Sequence, residues 1–178
     1  VTGVVATNRA YDGTTAVAVD ASAAALNAPD VVAGDDVTLD AASLAGAVGT
    51  MADKHAGAGK DVAVSGIGLL GVDAANYTIE VATTVDISQA TITVTGITAM
   101  DKVFDGTTAA TIDTSGASIA GVIGADDVSV DTTAAVGTFA NAGPAPGIEV
   151  IITGLTLSGA DAGDYLIAPV STTANILP

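Results

Sequence analysis

Short stretches in which apolar and polar residues alternate run through the whole chain. Residues 36–40, 61–65, 91–95 and 128–131 follow this period of two, which gives a segment one apolar and one polar face, as in a half-buried strand. Glycine-containing turns, including two Asp-Gly pairs, separate these stretches. Residues 21–25 permit a helix, but one of no more than a single turn. The pattern therefore predicts an all-β chain of short strands.

Two blocks of sequence occur twice. Residues 1–15 return as 94–108, and residues 71–79 return as 159–167. The first pair is offset by 93 positions and the second by 88. The difference of five residues falls in two Ala- and Ser-rich stretches, where surface loops tolerate changes in length. Self-similarity of this kind indicates tandem copies of one domain.

The two copies are assigned to residues 1–90 and 91–178, and each has about the length of a small β-sandwich. The second repeated block has the form Asp-x-small-x-Tyr and ends at Tyr77 and at Tyr165, which resembles the tyrosine corner of immunoglobulin-like domains. In that corner the ring packs inside and the hydroxyl bonds the backbone. The predicted fold is two tandem immunoglobulin-like antiparallel β-sandwiches. Residues 87–94, at the junction, lack Gly and Pro, so we expect a stiff, elongated arrangement.

Charge and composition restrict the function. The formal net charge of −16 divides equally between the two copies, and so acidic a surface repels nucleic-acid phosphates and anionic headgroups. No apolar run approaches the roughly 18 residues of a membrane span, so we expect neither nucleic-acid binding nor direct membrane insertion. Cysteine is absent, which removes disulfides, thiol catalysis and cysteine-based metal sites. The acidic surface either keeps an Ala-rich array soluble or attracts divalent cations.

The repeated motifs resemble a known family. Tyr-Asp-Gly-Thr-Thr at 11–15, Phe-Asp-Gly-Thr-Thr at 104–108 and the two Gly-x-Asp-x-x-x-Tyr blocks are similar to the YDG-type repeat of very large bacterial surface adhesins. In these filamentous-haemagglutinin-like proteins, YDG and MBG modules form long tandem runs. The resemblance covers nearly all of both copies. It is weakest at residues 139–144, where the second copy has no lysine.

This resemblance implies an extracellular protein of the bacterial cell surface or biofilm. Its repeats would be non-catalytic structural extenders, a stalk that projects an adhesive domain for attachment or biofilm formation. Their partners would be neighbouring repeats of the same chain, while other domains contact a host or matrix surface. The missing initial Met and the matching ends of the two copies lead us to expect a fragment of a longer array.

The alternative function is a glycan- or protein-binding module, with or without the help of Ca²⁺. It would act through loops that differ between the copies, at residues 21–32 and 52–59. Loop exchange between the copies would separate this function from that of a stalk.

Aromatic residues are few, and each occupies a repeated position: Tyr11, Tyr77, Phe104, Phe139 and Tyr165. Tyr11 stands opposite Phe104, which indicates that the ring matters more than the hydroxyl. We therefore expect all five rings in the cores, with none left to stack against a sugar.

Two Asp-Gly pairs are predicted to form structural turns. Asp12 with Gly13 and Asp105 with Gly106 follow the aromatic residue of the first repeated block. Gly accepts a positive φ, and the Asp side chain bonds its own backbone two residues on. Both pairs are therefore assigned a structural role.

Loop carboxylates are the weak candidates for a Ca²⁺ site, because hard cations prefer oxygen ligands. The candidates are Asp35, Asp36, Asp73, Asp126, Asp127, Asp161 and Asp164. They form no EF-hand or nonapeptide loop, so loosely held counterions are the alternative. No cofactor is predicted.

No catalytic site is predicted either. His55 is the only histidine, and Gly143 stands at its place in the second copy, so we interpret it as a solvated loop residue. Adjacent acids such as Asp35 and Asp36 point to opposite faces of a strand, unlike the facing carboxylates of a glycosidase. A Lys–Asn isopeptide crosslink is disfavoured because Arg9 stands opposite Lys102.

Overall fold

The computed structural model describes all residues, 1–178, and consists mainly of β-strands with little helix. This confirms the all-β class. The residues cluster into two compact units, Val1–Ser88 and Gln89–Pro178, called unit 1 and unit 2 below. No helix of the protein is long and apolar enough to cross a membrane.

Unit 1 is organised around one five-stranded sheet with the order β2-β9-β7-β6-β3. Two small antiparallel ribbons, β1-β4 and β5-β8, accompany it. One short helix, α1 (Ala41–Leu44), and two 3₁₀ turns (Ala28–Asp30 and Ala74–Asn76) lie in the connections. The strands are β1 (Val5–Ala6), β2 (Arg9–Ala10), β3 (Ala16–Val17), β4 (Val19–Asp20), β5 (Thr38–Leu39), β6 (Val48–Met51), β7 (Gly57–Ser65), β8 (Leu69–Leu70) and β9 (Thr84–Ser88).

Unit 2 repeats this organisation and adds to it. Its five-stranded sheet has the order β12-β21-β18-β17-β13, and its ribbons are β11-β14 and β16-β19. A further three-stranded sheet, β15-β10-β20, corresponds in unit 1 to a single bridge between Thr2 and Ala25. A 3₁₀ turn (Ala162–Asp164) precedes β20. The strands are β10 (Ala90–Thr95), β11 (Thr98–Ala99), β12 (Lys102–Val103), β13 (Ala109–Ala110), β14 (Ile112–Asp113), β15 (Ser118–Ala120), β16 (Ser129–Asp131), β17 (Val136–Phe139), β18 (Ala145–Thr153), β19 (Thr156–Ser158), β20 (Tyr165–Ile167) and β21 (Val170–Leu177).

The strand directions depart from a purely antiparallel sandwich. In each unit an early edge strand runs parallel to the last strand, β2 beside β9 and β12 beside β21. β10 also pairs in parallel with β20. The remaining pairs are antiparallel.

The two central strands carry the same β-bulge. The register of β7 shifts between Gly57 and Lys60, and that of β18 shifts between Ala145 and Ile148. In each bulge a glycine N–H donates to a side-chain oxygen of the neighbouring strand, at 2.7 Å for Gly59 and 2.8 Å for Gly147. Such bulges bend a strand at a defined point, so the two sheets bend at equivalent positions.

One difference in length between the copies lies at α1. Asp40 caps this helix by accepting a hydrogen bond from the N–H of Ala42. In unit 2 the counterpart Asp131 accepts one from the N–H of Thr133, and a turn replaces the helix. Residues 21–25, where a helical turn was expected, contain a simple turn.

The cores are mostly aliphatic. In unit 2, Phe139, Val150 and Ile176 are almost completely buried and belong to one cluster, and a second cluster surrounds Val94 and Ile152. Each side chain of this size contributes about 1.5–3 kcal/mol when fully buried. The buried side chains of unit 1 include Val17, Met51, Val62, Val85 and Ile87.

Candidate functional site

The tyrosine of the second repeated block ties β20 to a distant loop in unit 2. Its 3₁₀ turn leads directly into Tyr165, whose hydroxyl donates to the carboxylate of Asp126 at 2.6 Å and accepts from the N–H of Ile123 at 2.9 Å. The side chain is 3% exposed. A buried hydroxyl that both donates and accepts is fully engaged as a structural group.

Unit 1 repeats this contact atom for atom. The hydroxyl of Tyr77 donates to Asp35 at 2.7 Å and accepts from the N–H of Val32 at 2.9 Å. The hydrogen bond to the Asp35 carboxylate raises the pKa of Tyr77 above its ordinary value, because it stabilises the protonated phenol. These partners lie 42 and 45 positions away, whereas an immunoglobulin tyrosine corner reaches only a few residues upstream.

The two tyrosines differ in burial. Tyr77 is only partly buried, whereas Tyr165 is buried. In unit 2, β10 runs beside β20 with Ala90 opposite Tyr165. Unit 1 has no such strand, so one side of Tyr77 stays open.

A pair of aspartates fixes the same loop in each unit. Asp161 accepts from the N–H of Asp127 at 2.9 Å, and Asp127 accepts from the N–H of Ala160 at 3.1 Å. In unit 1, Asp73 accepts from the N–H of Asp36 at 2.9 Å. These carboxylates therefore close the loop by bonding backbone N–H groups.

A glycine permits the close approach that this loop needs. Gly159 has φ +114°, and a Cβ added there would lie 2.2 Å from the carbonyl oxygen of Asp127. Gly71 has φ +118°, and its added Cβ would lie 2.0 Å from the carbonyl oxygen of Asp36. Only glycine fits both the conformation and the space.

The Asp-Gly turns are held by their own threonines. Asp105 accepts from both the N–H and the hydroxyl of Thr107, at 2.8 and 2.9 Å, and Lys102 donates to Asp105 at 2.8 Å. The hydrogen bond from Lys102 and those from Thr107 lower the pKa of Asp105 to about 2. Gly106 has φ +78°. The ammonium of Lys102 also lies 5.6 Å from the centroid of the Phe139 ring, within cation–π distance.

Unit 1 builds this turn from the equivalent residues. Asp12 accepts from the N–H and hydroxyl of Thr14 at 2.9 and 2.8 Å, and Gly13 has φ +78°. Arg9, in the place of lysine, pairs with Asp12 and donates to the carbonyl of Thr14. The cation differs between the units, but in both it pairs with the turn aspartate and donates to the same threonine.

An exchange between the copies preserves a further contact. In unit 1 the N–H of Asp86 donates to the side chain of Asn8 at 2.9 Å. In unit 2 the N–H of Asn175 donates to Asp101 at 2.7 Å, and its side-chain amide donates to the same carboxylate at 2.9 Å. Asn and Asp have changed places, so the pair is kept while its members are swapped.

One prediction about the aromatic rings is wrong. Tyr11, Phe139 and Tyr165 are buried, but Phe104 is 50% exposed. Its N–H donates to the carbonyl of Leu177, which anchors the backbone beside the edge strand β12. The buried cluster of unit 2 contains the ring of Phe139 but not that of Phe104. The ring of Phe104 is therefore accessible to a ligand at the surface of unit 2.

The calcium candidates are largely occupied by hydrogen bonds. Asp35 and Asp126 accept from tyrosine, and the Asp36–Asp73 and Asp127–Asp161 pairs accept from backbone N–H groups. Asp164 is buried, at 3% exposed. Within unit 1 or unit 2 taken alone, no three histidine or carboxylate ligand atoms converge within 4.8 Å. The acids form hydrogen-bonded loops rather than a ready cation cage.

His55 lies in the loop before β7 and is exposed. Its N–H donates to Asp53 at 2.9 Å, and Lys60 pairs with the same carboxylate. Lys60 therefore helps to hold this loop.

Sequence reasoning missed a set of smaller turns. Asp20 accepts from the N–H of Ser22, Asp113 from that of Ser115, and Asp131 from that of Thr133. The signal was present as an Asp followed two positions later by Ser or Thr, the spacing of an Asx turn.

Comparison with known proteins identifies one family. The model of the YDG domain family matches residues 1–85 and again residues 88–174. No curated protein and no solved structure matches the chain. Two successive matches account for nearly the whole length, in agreement with the two sets of hydrogen-bonded turns and loops. The chain thus belongs to the YDG domain family and contains two of its domains.

Proposed function

We propose that these two YDG domains are non-catalytic extender repeats of a large bacterial adhesin, secreted or held at the cell surface. They would form part of a stalk that projects an adhesive domain for attachment or biofilm formation. The observation that supports this most is the duplication of the polar contacts. The Tyr–Asp, Asp–Asp and Asp–Thr hydrogen bonds occur in both units and hold backbone in each.

A binding or catalytic site usually departs from the repeat, because its groups are selected for a ligand rather than for the fold. Here the changes between the units are compensated instead. Arg9 and Lys102 both donate to the carbonyl of the turn threonine, and the Asn8–Asp86 pair becomes Asp101–Asn175. Conservation of contacts under exchange of residues is what a module kept for its shape requires.

We further propose that the two units are immunoglobulin-like sandwiches in an elongated arrangement. The length of each unit supports the sandwich. The junction supports stiffness, since only Gln89 separates β9 from β10 in the chain and no Gly or Pro lies there.

Small-angle X-ray scattering tests this function. A single compact body of 178 residues would have a radius of gyration of about 16 Å. Two units of half that size placed end to end would give about 21–23 Å, from about 12 Å for each unit. A value near 16 Å, unchanged at high salt, would rule out a stalk. A matched variant with three glycines inserted after Gln89 should broaden the distance distribution if the junction is stiff.

A second candidate function is glycan or protein binding, with or without Ca²⁺. The half-exposed ring of Phe104 supports it, because lectin sites stack sugars on exposed aromatics. A glycan array with the intact chain and with Phe104→Ser, each with and without Ca²⁺, distinguishes the two functions. Saturable binding that is lost with Phe104→Ser would favour a binding module over a spacer.

A further inference from the structure

Asp105 and Gly106 form one of the two Asp-Gly bonds of the chain, and Asp12 and Gly13 form the other. In such a bond the glycine nitrogen can attack Cγ of the aspartate, because glycine has no side chain to obstruct the approach. A bond forms between this nitrogen and Cγ while a Cγ–O bond breaks. The amide proton and the OH of the neutral carboxyl group leave as water, and a succinimide ring remains. Water then opens the ring to aspartate or to isoaspartate, in which the main chain is one carbon longer and the turn is disrupted.

The attacking nitrogen is unrestrained in the Asp105–Gly106 turn. Gly106 is exposed, and its N–H donates no hydrogen bond within the protein. No atom lies within 4 Å of a Cβ added at this residue. Packing against the rest of the fold therefore does not protect the bond, and protection has to come from the groups that hold the Asp105 carboxylate.

Three donors hold one oxygen of that carboxylate. Oδ1 of Asp105 accepts from the ammonium of Lys102 at 2.8 Å, and from the N–H and the hydroxyl of Thr107 at 2.8 and 2.9 Å. Cyclisation needs a neutral carboxyl group that is free to rotate, because a carboxylate anion repels the attacking nitrogen. The hydrogen bond from Lys102 and those from Thr107 lower the pKa of Asp105 to about 2, so the group is ionised at neutral pH. The same contacts therefore fix the orientation of the carboxylate and keep it in its unreactive form.

The cations of the chain lie at the Asp-Gly bonds. Only four lysine and arginine residues stand against 20 acids, and two of the four pair with the aspartates of these bonds, Arg9 with Asp12 and Lys102 with Asp105. Asp53 bonds the N–H two positions on and also has a cation, although no glycine follows it. Four other aspartates bond the N–H two positions on with neither a following glycine nor a cation: Asp20, Asp40, Asp113 and Asp131. The turn itself therefore forms without a cation, and the cation at the Asp-Gly bonds has a further role.

We propose that the two Asp-Gly bonds are latent isoaspartate sites, and that the cation and the threonine of each turn prevent the aspartate from cyclising. The contacts that both units preserve then have two roles, since they fix the turn and protect its covalent structure. Arg9 and Lys102 are exchangeable in this role, because each pairs with the aspartate and donates to the threonine of its turn. Removal of the contacts should let isoaspartate form at that turn while the unit remains folded.

The test follows isoaspartate formation in the full chain at neutral pH. The amount at each Asp-Gly bond is measured over time by mass spectrometry of peptides and by enzymatic methylation of isoaspartate. The variants are Lys102→Met, which removes the ammonium but keeps an unbranched side chain, Thr107→Ala and, as the rescue, Lys102→Arg. Tyr165→Phe is the matched control, because it weakens unit 2 at a different loop and leaves the turn unchanged. Calorimetry identifies the chains that are folded at the incubation temperature, and the parent in urea gives the unprotected rate.

The expected result separates protection by the turn from protection by folding alone. Both bonds should react at least about 10-fold more slowly in the folded parent than in urea. Lys102→Met and Thr107→Ala should each raise the rate at Asp105 at least about 3-fold and leave the rate at Asp12 unchanged. Lys102→Arg and Tyr165→Phe should keep the parent rate.

Three results would overturn the proposal. The first is a folded parent that reacts as fast as the chain in urea. The second is a parent rate at Asp105 in the folded Lys102→Met and Thr107→Ala chains, and if one of these does not fold, the other decides. The third is a Tyr165→Phe chain whose rate rises as much as theirs, since unfolding of unit 2 would then account for the reaction.

Discussion

Replacing Tyr165 by Phe removes a single hydroxyl that joins β20 to a loop about 40 residues earlier. The hydroxyl donates to Asp126 at 2.6 Å and accepts from the N–H of Ile123 at 2.9 Å. The ring is 3% exposed, so water cannot easily replace either partner. The ring itself is retained in Phe, which leaves the packing unchanged.

The magnitude follows from the two lost bonds. A hydrogen bond to a charged group contributes about 1.5–3 kcal/mol, and a buried donor left unsatisfied costs about 1–3 kcal/mol. We expect Tyr165→Phe to lower the free energy of unfolding of unit 2 by about 2–4 kcal/mol. For a domain of this length, that corresponds to a fall in melting temperature of about 10–25 °C. Tyr165→Ala should cost more, since it adds a cavity worth about 3–5 kcal/mol.

Differential scanning calorimetry of the full chain is the assay, with the transition of unit 1 as internal reference. Tyr77→Phe is the matched variant and should cost less, because Tyr77 is only partly buried and water reaches its partners. A double-mutant cycle with Asp126→Asn should give a coupling energy of about 1–2 kcal/mol. A Tyr165→Phe chain that melts like the parent, with no coupling to Asp126, would refute the hydrogen bond and the role assigned to this tyrosine.

Three further predictions concern the other repeated positions. Gly159→Ala should destabilise unit 2 by about 3 kcal/mol or more in urea unfolding, because Gly159 has a positive φ and the added Cβ would lie 2.2 Å from a carbonyl oxygen. The control Gly163→Ala should be neutral, because no atom lies within 4 Å of its added Cβ. The pKa of Asp105 is lowered to about 2, so the contribution of this carboxylate to stability is present above about pH 4 and is lost as the pH falls towards 2. Melting curves of the parent and of Asp105→Asn should therefore differ at pH 7 and converge by pH 2. A difference in melting temperature that stays constant with pH would contradict this. Phe139→Ala should cost about 3–5 kcal/mol but Phe104→Ala no more than about 1 kcal/mol, and equal losses in chemical denaturation would mean that both rings are in the core.

The sequence was informative wherever local chemistry decides the structure. The alternation at 91–95 and 61–65 lies within β10 and β7. The Asp-Gly turns bond their own threonines, because an Asp side chain can reach the N–H two residues on without help from the rest of the fold.

Features set by distant parts of the chain were beyond such reasoning. In β17, Val136 faces outward at 56% exposed, while Gly137 faces inward, the reverse of what the hydrophobic pattern suggests. A Cβ on Gly137 would lie 2.5 Å from the side chain of Ile112 in β14, a strand of another sheet, so the close approach of β14 requires a glycine on this face. Residue pattern alone does not reveal that approach.

The partners of the repeated tyrosines were likewise not predictable. Their hydroxyls were expected to bond nearby backbone, but Tyr77 reaches Val32 and Asp35 in another loop. Phe104 is half exposed, although Tyr11 at the same repeated position is buried. Both outcomes depend on tertiary packing, for which one sequence carries no direct signal.

The central claim is that the repeated polar residues hold the backbone in both units alike. Amide hydrogen exchange of the intact chain tests it most directly, at three matched pairs of bonded N–H groups: Val32 with Ile123, Asp36 with Asp127, and Gly59 with Gly147. We predict that all six exchange at least about 100-fold more slowly than an unstructured amide. Rapid exchange of these amides, in a chain whose strands are otherwise protected, would contradict the claim and leave the repeated acids available to bind a ligand.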